Sequence, residues 1–299
     1  MYDTLIVGGG PAGLSAALIL GRCLRSVVVI DHGRPRNAYS HSLHGYLSQH
    51  DIPPKEFIRK SHDQLAHFEN IQIKNAEALT VKKKENYFET YLSTGETIRS
   101  KKLLLATGVI DEVPNITGIH ELYGQSVFQC PYCDGWEVRN QPLAVLGKGE
   151  RGYKMALMMT TWSRDLILCT DGPAKLTVEQ IAHLKRNEIC IREEKIKSLE
   201  GYQGQLKFIH FENGNSLARK SLFFNTPSFI RSNLLDQLEC EFTESEGVIT
   251  GKYEATSIPG LFVAGNITRD VQLVIVAAAE GAQAAFGINY ELAHESIKS

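Results

Sequence analysis

The feature that most constrains the fold is a glycine-rich turn between two apolar segments near the N-terminus. An apolar run at 5–7 precedes Gly8-Gly9-Gly10-Pro11-Ala12-Gly13, and small or apolar residues follow at 14–20. A second apolar run, at 27–30, ends at Asp31. This order of strand, glycine turn, helix, strand and acid is typical of a dinucleotide-binding β-α-β unit.

Each position in this turn has a physical role in binding a dinucleotide. Gly8 permits the tight turn, Gly10 lets a pyrophosphate approach the backbone, and Gly13 lets the helix pack close to the strand. The helix N-terminus offers N–H groups and a positive dipole end to the phosphates, and Asp31 accepts hydrogen bonds from a ribose hydroxyl. The alternative is a unit that has the same turn and binds no nucleotide.

A second pattern of this kind begins near residue 142. The apolar run 143–146 precedes Gly147, Gly149 and Gly152, and a helical stretch and another strand follow. We therefore predict an α/β protein with two Rossmann-like, three-layer domains. The second domain either binds NAD(P) through these three glycines or keeps the fold without binding.

The chain length and the two linker-like segments predict how the domains are arranged. At about 150 residues per domain, 299 residues correspond to two domains. We expect residues 1–115 and 243–299 to form one discontinuous domain, and residues 116–242 to form a second domain inserted into it.

Charge and hydropathy exclude several classes of protein. The 32 basic and 34 acidic residues give a formal net charge of −2, which argues against a generic nucleic-acid or membrane-surface binder. The first residues lack the basic region of a signal peptide, and no run of about 18 apolar residues predicts a membrane helix. We therefore expect a cytoplasmic protein without nucleic-acid or membrane partners.

Two of the six cysteines form a Cys-X-X-Cys motif at Cys130 and Cys133. In a reducing compartment this spacing indicates a redox-active pair or half of a zinc site, and unreactive thiols are a third alternative. A zinc site needs a second pair of ligands, which the sequence does not offer, so we predict no metal. The other four cysteines are expected to be small buried residues. Asp134 follows the pair, where it either shuttles thiol protons or serves as a cap or turn residue.

Together, these motifs resemble the low-molecular-weight thioredoxin reductases of the pyridine nucleotide–disulfide oxidoreductase superfamily. The match extends over essentially the whole chain, in the order and spacing of its motifs. It includes the first glycine turn, Ala106-Thr107-Gly108, Cys130 to Gly135, 256–265, Gln272 and 277–281.

The resemblance implies an FAD domain interrupted by a domain that carries the redox cysteines. Cys133 then lies nearest the flavin, Cys130 exchanges with the substrate, and Asp134 is the acid–base carboxylate. The expected partner is a thiol or disulfide substrate, either a small molecule or a thioredoxin-like protein, and the expected assembly is a homodimer. The implied FAD-binding residues are Gly8, Gly10, Pro11, Ala12, Gly13, Asp31, Asn37, His44, Ala106, Thr107, Gly108, Gly265, Asn266, Gln272 and Leu273.

Three departures from the family pattern matter: the first two weaken the case for NADPH, and the third, at Asn266, concerns the ribityl chain of FAD. Thr170-Asp171-Gly172-Pro173 stands where the reductases have a His-Arg-Arg cluster that grips the 2′-phosphate. Glu150 and Arg151 replace small residues beside the expected pyrophosphate, and Asn266 replaces an aspartate. An acid such as Asp171 would repel the phosphate of NADPH, although it would accept a hydrogen bond from the free hydroxyl of NADH. NAD(P)H is therefore a doubtful cofactor.

Other segments are similar to a branch of the family that oxidises dithiols in small sulfur-containing natural products. These segments are 31–37, His44-Gly45 and the cysteine motif through Trp136. Enzymes of that branch pass electrons from a dithiol through FAD to oxygen. The sequence leaves the direction of electron flow open. It also leaves open a non-catalytic FAD-binding redox sensor whose cysteines switch a partner interaction.

Overall fold

A computed structural model describes residues 1–268 and 271–297 of the chain. The chain divides into two compact units. The first unit comprises Met1–Ala38, Gly45–Ile110 and Phe229–Ser299, and the second comprises Tyr39–His44 and Asp111–Ser228.

The first part of the chain builds most of the first unit. Its strands are β1 (Tyr2–Val7), β2 (Val27–Asp31), β3 (Ile71–Asn75), β4 (Ala78–Lys83), β5 (Phe88–Leu92), β6 (Thr97–Leu105) and β7 (Val109–Asp111). Its helices are α1 (Pro11–Arg22) and α2 (Pro54–Leu65).

The middle of the chain builds the second unit. Its strands are β8 (Val127–Phe128), β9 (Leu143–Leu146), β10 (Leu166–Cys169), β11 (Cys190–Arg192), β12 (Ile196–Tyr202), β13 (Gln205–Phe211), β14 (Ser216–Ala218) and β15 (Ser221–Phe224). Its helices are α3 (Pro131–Asp134), α4 (Gly149–Met159) and α5 (Val178–Arg186).

The last part of the chain completes the first unit. Its elements are β16 (Ser228–Ile230), α6 (Leu234–Gln237), a 3₁₀ turn (Lys252–Glu254), β17 (Leu261–Val263) and α7 (Val274–Ile297). Strands β7 and β16, at the two chain crossings, pair with each other.

The sheet of the first unit has the strand order β3-β2-β1-β6-β5-β4, and β17 pairs with the second half of β6. Strands β3, β2, β1, β6 and β17 are parallel, whereas β4 and β5 form an antiparallel edge. Because parallel strands end at the same edge, the turns after β1, β2, β6 and β17 lie at one carboxyl edge, where such sheets bind ligands.

The second unit contains a five-stranded parallel sheet, β11-β10-β9-β15-β8, and an antiparallel sheet of β12, β13 and β14. Helix α4 begins at the carboxyl end of β9, as the glycine pattern predicts. The α/β class with parallel sheets is confirmed.

The predicted domain boundaries differ from those of the two units. Residues 229–242 were expected in the inserted domain, but they belong to the first unit. The reason is packing, because Leu234, Leu235, Leu238 and Cys240 are buried in the core beneath β1, β2 and β6. At the other crossing, the second unit already begins at Asp111, whose carboxylate accepts a hydrogen bond from the Tyr123 hydroxyl at 3.0 Å.

Candidate active site

The first glycine turn is shaped by contacts that a side chain would prevent. Gly8 follows β1 with a φ of +111°, and a Cβ added there would lie 2.2 Å from the Ala106 carbonyl oxygen. A Cβ at Gly13 would lie 1.9 Å from the Gly8 carbonyl oxygen. Both positions therefore require glycine, which brings β1, β6 and α1 close together.

At the start of α1, the turn leaves room for a ligand. Gly10 is the N-cap residue, it makes no side-chain capping bond, and a Cβ added to it would meet nothing within 4 Å. Pro11 begins the helix and has no N–H to satisfy. The open N-terminal turn of α1 thus has the space and the N–H donors that a pyrophosphate needs.

An acid stands beside this turn at the carboxyl end of β2. A Cβ added to Gly9 would lie 2.7 Å from the Asp31 Oδ2 atom, so the carboxylate lies against the backbone of the turn. This is the position from which a carboxylate accepts hydrogen bonds from a nucleotide ribose.

Two further turns reach the same edge of the sheet, because Leu105 pairs with both Val7 and Val263. In the turn after β6, the buried Thr107 hydroxyl has no hydrogen-bond partner among the described residues. A buried polar atom without a partner costs free energy, which a ligand hydroxyl or phosphate would recover.

The turn after β17 is fixed by a buried carboxylate on α7. The Glu280 Oε2 atom accepts hydrogen bonds from the Gly265 N–H at 2.7 Å and from the Thr268 hydroxyl at 2.9 Å. Gln272, just before α7, accepts a hydrogen bond from Arg36 at 2.6 Å.

The residues at this edge therefore fit FAD: an open helix N-terminus for the pyrophosphate, Asp31 for the ribose and an unpartnered threonine. The expected FAD-binding residues in the first unit are Gly8, Gly10, Pro11, Ala12, Gly13, Asp31, Asn37, Ala106, Thr107, Gly108, Gly265, Asn266, Gln272 and Leu273. His44, from the same expected set, lies in the second unit.

The two cysteines of the motif form a disulfide at the start of α3. Cys130 is the N-cap residue, and its sulfur accepts a hydrogen bond from the Cys133 N–H at 3.1 Å. Pro131 occupies the first helical position, where its fixed φ suits the helix. The position after α3 requires glycine, because a Cβ added to Gly135 would lie 2.8 Å from the ring of Trp162.

Asp134 is the last residue of α3, so it does not cap the helix N-terminus. Burial raises the pKa of its carboxyl to about 7. The charge of His44 lowers this pKa, and the charge of Glu137 raises it. Asp134 can therefore take up or release a proton near neutral pH, as an acid–base group beside a dithiol must.

His44 contacts the redox motif directly, 89 positions away from it in the chain. Its Nδ1 atom lies 2.8 Å from the Cys133 carbonyl oxygen, and its Nε2 atom lies 3.6 Å from the Glu137 Oε1 atom. Sequence reasoning found the residue but not this contact, because no local pattern predicts a contact of that separation.

Exposed aromatic side chains flank the redox motif. Tyr132 is 70% exposed and Trp136 is 63% exposed. The Tyr132 ring packs edge-on against Trp162, and the Arg139 guanidinium lies 3.8 Å from the centre of the Trp136 ring. An apolar or aromatic substrate would find stacking surfaces here.

In the second glycine turn, at the start of α4, the Gly149 N–H group is bonded to another part of the protein. The Gly149 N–H donates to the Ala174 carbonyl oxygen at 2.8 Å, and the Ala174 N–H donates to the Glu193 carboxylate at 2.6 Å. The Asp171 carboxylate accepts a hydrogen bond from the Ile196 N–H at 2.8 Å. The loop after β10 is thus held against the turn by one hydrogen bond and against the segment 193–196 by two.

The remaining four cysteines are free thiols and fall into two groups by exposure. Cys169 and Cys240 are buried, and burial raises the pKa of their thiols to about 12 and about 11. Cys23 and Cys190 are exposed, so the expectation that all four are buried is wrong for these two. The described parts of the chain contain no cluster of three or more residues able to hold a metal ion.

No helix within residues 1–268 and 271–297 combines the length and apolar character needed to cross a membrane.

Comparison with known proteins identifies the family. Residues 2–281 match the family described as pyridine nucleotide-disulphide oxidoreductase. The chain is 33% identical to the thioredoxin reductase tcpT of Claviceps purpurea, over 89% of this chain and 86% of the relative.

Two crystal structures agree with this assignment. The putative thioredoxin reductase TrxB of Bacillus anthracis superposes with a TM-score of 0.94 at 29% identity, over 99% of this chain and all of that one. HlmI superposes with a TM-score of 0.95 at 31% identity, over 99% of this chain and 94% of that one. The chain belongs to the pyridine nucleotide–disulphide oxidoreductase family, is similar to its thioredoxin reductases, and is an FAD-dependent oxidoreductase.

Proposed function

We propose that this enzyme oxidises a dithiol substrate to a disulfide through Cys130 and Cys133 and passes the electrons by way of FAD to dioxygen. The first unit binds FAD, and the second unit carries the redox pair without using a nicotinamide nucleotide. The observation that carries this proposal is the hydrogen bond between Gly149 and Ala174, which occupies one N–H donor of the second glycine turn.

A pyrophosphate at the second turn would compete with the protein for the same donor. It would have to displace the Ala174 carbonyl from Gly149 and move a loop that Glu193 also holds. Glu150 adds a negative charge to the first turn of α4. The segment 170–173 offers no arginine to pair with a 2′-phosphate. Each of these features disfavours NADPH, so a dithiol is the better candidate for the electron donor.

Thiol–disulfide exchange at the cysteine pair accounts for the substrate chemistry. A substrate thiolate attacks the Cys130 sulfur, the Cys130–Cys133 bond breaks, and Cys133 leaves as a thiolate. The second substrate thiolate attacks the substrate sulfur of the mixed disulfide, forms the substrate disulfide and releases Cys130 as a thiolate. Two electrons now reside on the cysteine pair, and the two substrate protons have left.

The residues around the pair support these steps. Asp134 accepts a thiol proton, since its pKa of about 7 matches that task. Exposed Tyr132 and Trp136 provide apolar surface for a small substrate. FAD, when bound, would accept the electron pair from the reduced cysteines and pass it to dioxygen.

Oxygen uptake under steady-state conditions tests this proposal. The purified holoenzyme is mixed in air with a dithiol such as dithiothreitol, and separately with NADPH plus an oxidised disulfide. We expect sustained oxygen uptake with the dithiol, and loss of that uptake in Cys130→Ser. A single stoichiometric reduction without turnover would instead favour a redox sensor, and NADPH-driven disulfide reduction would favour a reductase.

The family resemblance supports a proposal about assembly. We propose a homodimer in the cytoplasm. Analytical ultracentrifugation tests the first part, where a mass near that of one chain of 33.3 kDa would contradict it. Fractionation of cells that produce the protein tests the second.

A further inference from the structure

The helical periodicity of α3 continues past the end of the helix and exposes one stripe of side chains. Gly135 has φ −68° and ψ −31°, which are helical values. Positions 131, 135 and 138 are buried, whereas Tyr132, Trp136 and Arg139 are exposed. Positions three and four apart are neighbours on a helical surface, so these three residues form one stripe that begins between the two cysteines. We call it the aromatic stripe.

The Tyr132 ring has a defined orientation within the aromatic stripe. It packs edge-on against the Trp162 ring, with 5.7 Å between the ring centres and 88° between the planes. Trp162 is itself anchored, since it packs against a buried core cluster and its carbonyl oxygen accepts a hydrogen bond from the Asn140 N–H at 2.8 Å. Tyr132 is therefore held by its contact with Trp162, while most of its surface remains exposed.

Trp136 is held by Arg139. The guanidinium lies 3.8 Å from the centre of the indole ring, and the Arg139 Nη1 atom donates a hydrogen bond to the Trp136 carbonyl oxygen at 2.7 Å. A planar guanidinium covers only one face of a flat ring. No other ring or cation in the described part of the chain stacks on the indole, and Trp136 is 63% exposed. The second face of the indole is therefore open to a ligand.

The position of Arg139 is explained by the indole rather than by an ion pair. Within residues 1–268 and 271–297, Arg139 has no acidic partner. The carboxylate of Glu137, two positions earlier, instead lies 3.6 Å from the His44 Nε2 atom. A cation over an aromatic face is attracted most strongly when the ring is that of tryptophan. Arg139 thus serves to fix Trp136 beside the redox pair.

Fixed aromatic rings beside a reactive disulfide discriminate between substrates. Aromatic pairs gain free energy from stacking beyond the area that they bury, whereas a saturated ring gains only from burial. Rings that are already held in place lose little conformational entropy when a ligand binds. Two side chains offer far less than the roughly 800 Å² per partner of a stable protein complex, so a small aromatic molecule suits the aromatic stripe better than a protein.

We propose that the substrate is a dithiol carried on a planar aromatic or heteroaromatic ring, and that Trp136 determines this specificity by stacking on that ring. Arg139 is a positioning residue, since it acts by holding the indole. This inference rests on the dithiol exchange proposed for Cys130 and Cys133, but it does not depend on which acceptor takes the electrons afterwards.

Two dithiols that differ in one property test this specificity. They are ortho-xylylenedithiol and its ring-saturated cyclohexane analogue, which carry the same pair of CH₂SH groups on adjacent ring carbons. The oxidised holoenzyme is mixed with each dithiol without oxygen, and the substrate disulfide formed in the first turnover is measured by rapid quenching and chromatography. The dependence on dithiol concentration gives a half-saturation concentration and a limiting rate.

The variants separate aromatic stacking from general apolar contact. Trp136→Leu keeps an apolar side chain without a ring, and Trp136→Phe restores a ring. Arg139→Met removes the cation that holds the indole, whereas Arg139→Lys keeps one. Tyr202→Leu is the matched control, because Tyr202 is also 70% exposed in the second unit but lies on β12. Comparison of each variant with the parent enzyme for the same dithiol cancels any difference in intrinsic thiol reactivity.

We expect Trp136→Leu to raise the half-saturation concentration about tenfold for the aromatic dithiol and about twofold for the saturated one. The change should lie in the half-saturation concentration rather than in the limiting rate. Trp136→Phe and Arg139→Lys should recover most of the loss, Arg139→Met should show an intermediate loss, and Tyr202→Leu should match the parent enzyme.

Three results would overturn the specificity assigned to Trp136. They are an equal loss for the two dithiols in Trp136→Leu, no loss for either, and faster exchange with a protein dithiol such as reduced thioredoxin that Trp136→Leu abolishes. Failure of the oxidase is distinguishable from these results. Selection of the aromatic dithiol in the first turnover without oxygen uptake would contradict the oxidase alone, whereas exchange with neither dithiol would contradict both proposals.

Discussion

The Gly149 N–H and the Ala174 carbonyl oxygen are joined by a hydrogen bond of 2.8 Å at the start of α4. In a dinucleotide-binding unit, the N–H groups at this place bind the pyrophosphate. Here the Ala174 carbonyl oxygen accepts the hydrogen bond from the Gly149 N–H group. The Glu193 carboxylate accepts a further hydrogen bond from the Ala174 N–H at 2.6 Å. The second unit therefore retains the β-α-β pattern, while one N–H donor of its glycine turn is closed to a ligand by the protein itself.

This closure predicts weak binding of nicotinamide nucleotides. We expect NADPH and NADH to bind the holoenzyme at least about tenfold more weakly than they would bind a unit whose glycine turn is open. This is a difference of about 1.4 kcal/mol in the free energy of binding. Isothermal titration calorimetry of the oxidised holoenzyme measures the affinity, and titration of FAD into the apoprotein is the positive control. A dissociation constant in the micromolar range for NADPH would contradict the prediction.

Gly10→Ala should weaken FAD binding without disturbing the fold. Gly10 has a φ of −80°, which alanine adopts readily, and a Cβ there meets no protein atom within 4 Å. The added methyl group would instead occupy space that the pyrophosphate needs. We expect at least a tenfold increase in the dissociation constant for FAD and an unchanged melting temperature of the apoprotein.

Two further variants make the Gly10 measurement interpretable. Ser15→Ala, later in α1, should leave FAD binding intact. Gly8→Ala should impair folding itself, because its Cβ would lie 2.2 Å from the Ala106 carbonyl oxygen. Full retention of FAD by Gly10→Ala would show that the pyrophosphate does not lie at this turn.

Substitution of the cysteines one at a time should separate their roles. Cys130→Ser leaves the Cys133 thiolate, which we expect to give a charge-transfer absorbance with the oxidised flavin. Cys133→Ser should lack this absorbance. Absorbance spectra of the reduced or single-thiol proteins between pH 6 and 9 provide the test. If only Cys133→Ser showed the band, the two cysteines would have the opposite roles.

Asp134→Asn should change how the rate of substrate oxidation depends on pH. Burial raises the pKa of Asp134 to about 7, and only its ionised form accepts a thiol proton. In the parent enzyme, the rate of the dithiol half-reaction should therefore rise as the pH increases through about 7. The dithiol half-reaction of the Asn variant should be slower by about 100-fold, and its rate should not rise through pH 7. An unchanged profile in the variant would exclude Asp134 as the base.

The same substitution makes a separate prediction about stability. The pKa of Asp134 is higher in the folded protein than its ordinary value of 3.8, so the folded state favours the protonated carboxyl. The resulting stability is present below pH 4 and is lost as the pH rises from about 4 through about 7. Asp134→Asn should therefore melt at a higher temperature than the parent protein at pH 8, and the difference should shrink towards pH 4.

Sequence patterns identified the features that depend on local chain geometry. Gly8 and Gly13 are required by contacts within one β-α-β unit, so the first turn was predictable from spacing alone. The Cys130–Cys133 pair was predictable for the same reason, since two thiols three positions apart close a disulfide within one turn of chain.

Features that depend on packing between distant segments were not predictable. The boundary near residue 242 was wrong because the burial of Leu234 and Leu238 beneath the first sheet has no local signal. No local sequence signal predicts the contact of His44 with Cys133 or the hydrogen bond between Gly149 and Ala174. Asp171 was recognised as an unusual acid, but its hydrogen bond to Ile196 depends on the fold.

Anaerobic stopped-flow reduction of the flavin tests the central claim most directly. The holoenzyme is mixed separately with a small dithiol, NADPH and NADH, and the loss of the visible flavin absorbance is followed. The account predicts fast bleaching by the dithiol, no fast bleaching in Cys130→Ser, and slow bleaching by both nucleotides. Rapid bleaching by micromolar NADPH would contradict it, since it would mean that the loop after β10 opens and that Lys148 or Arg151 reaches the phosphates.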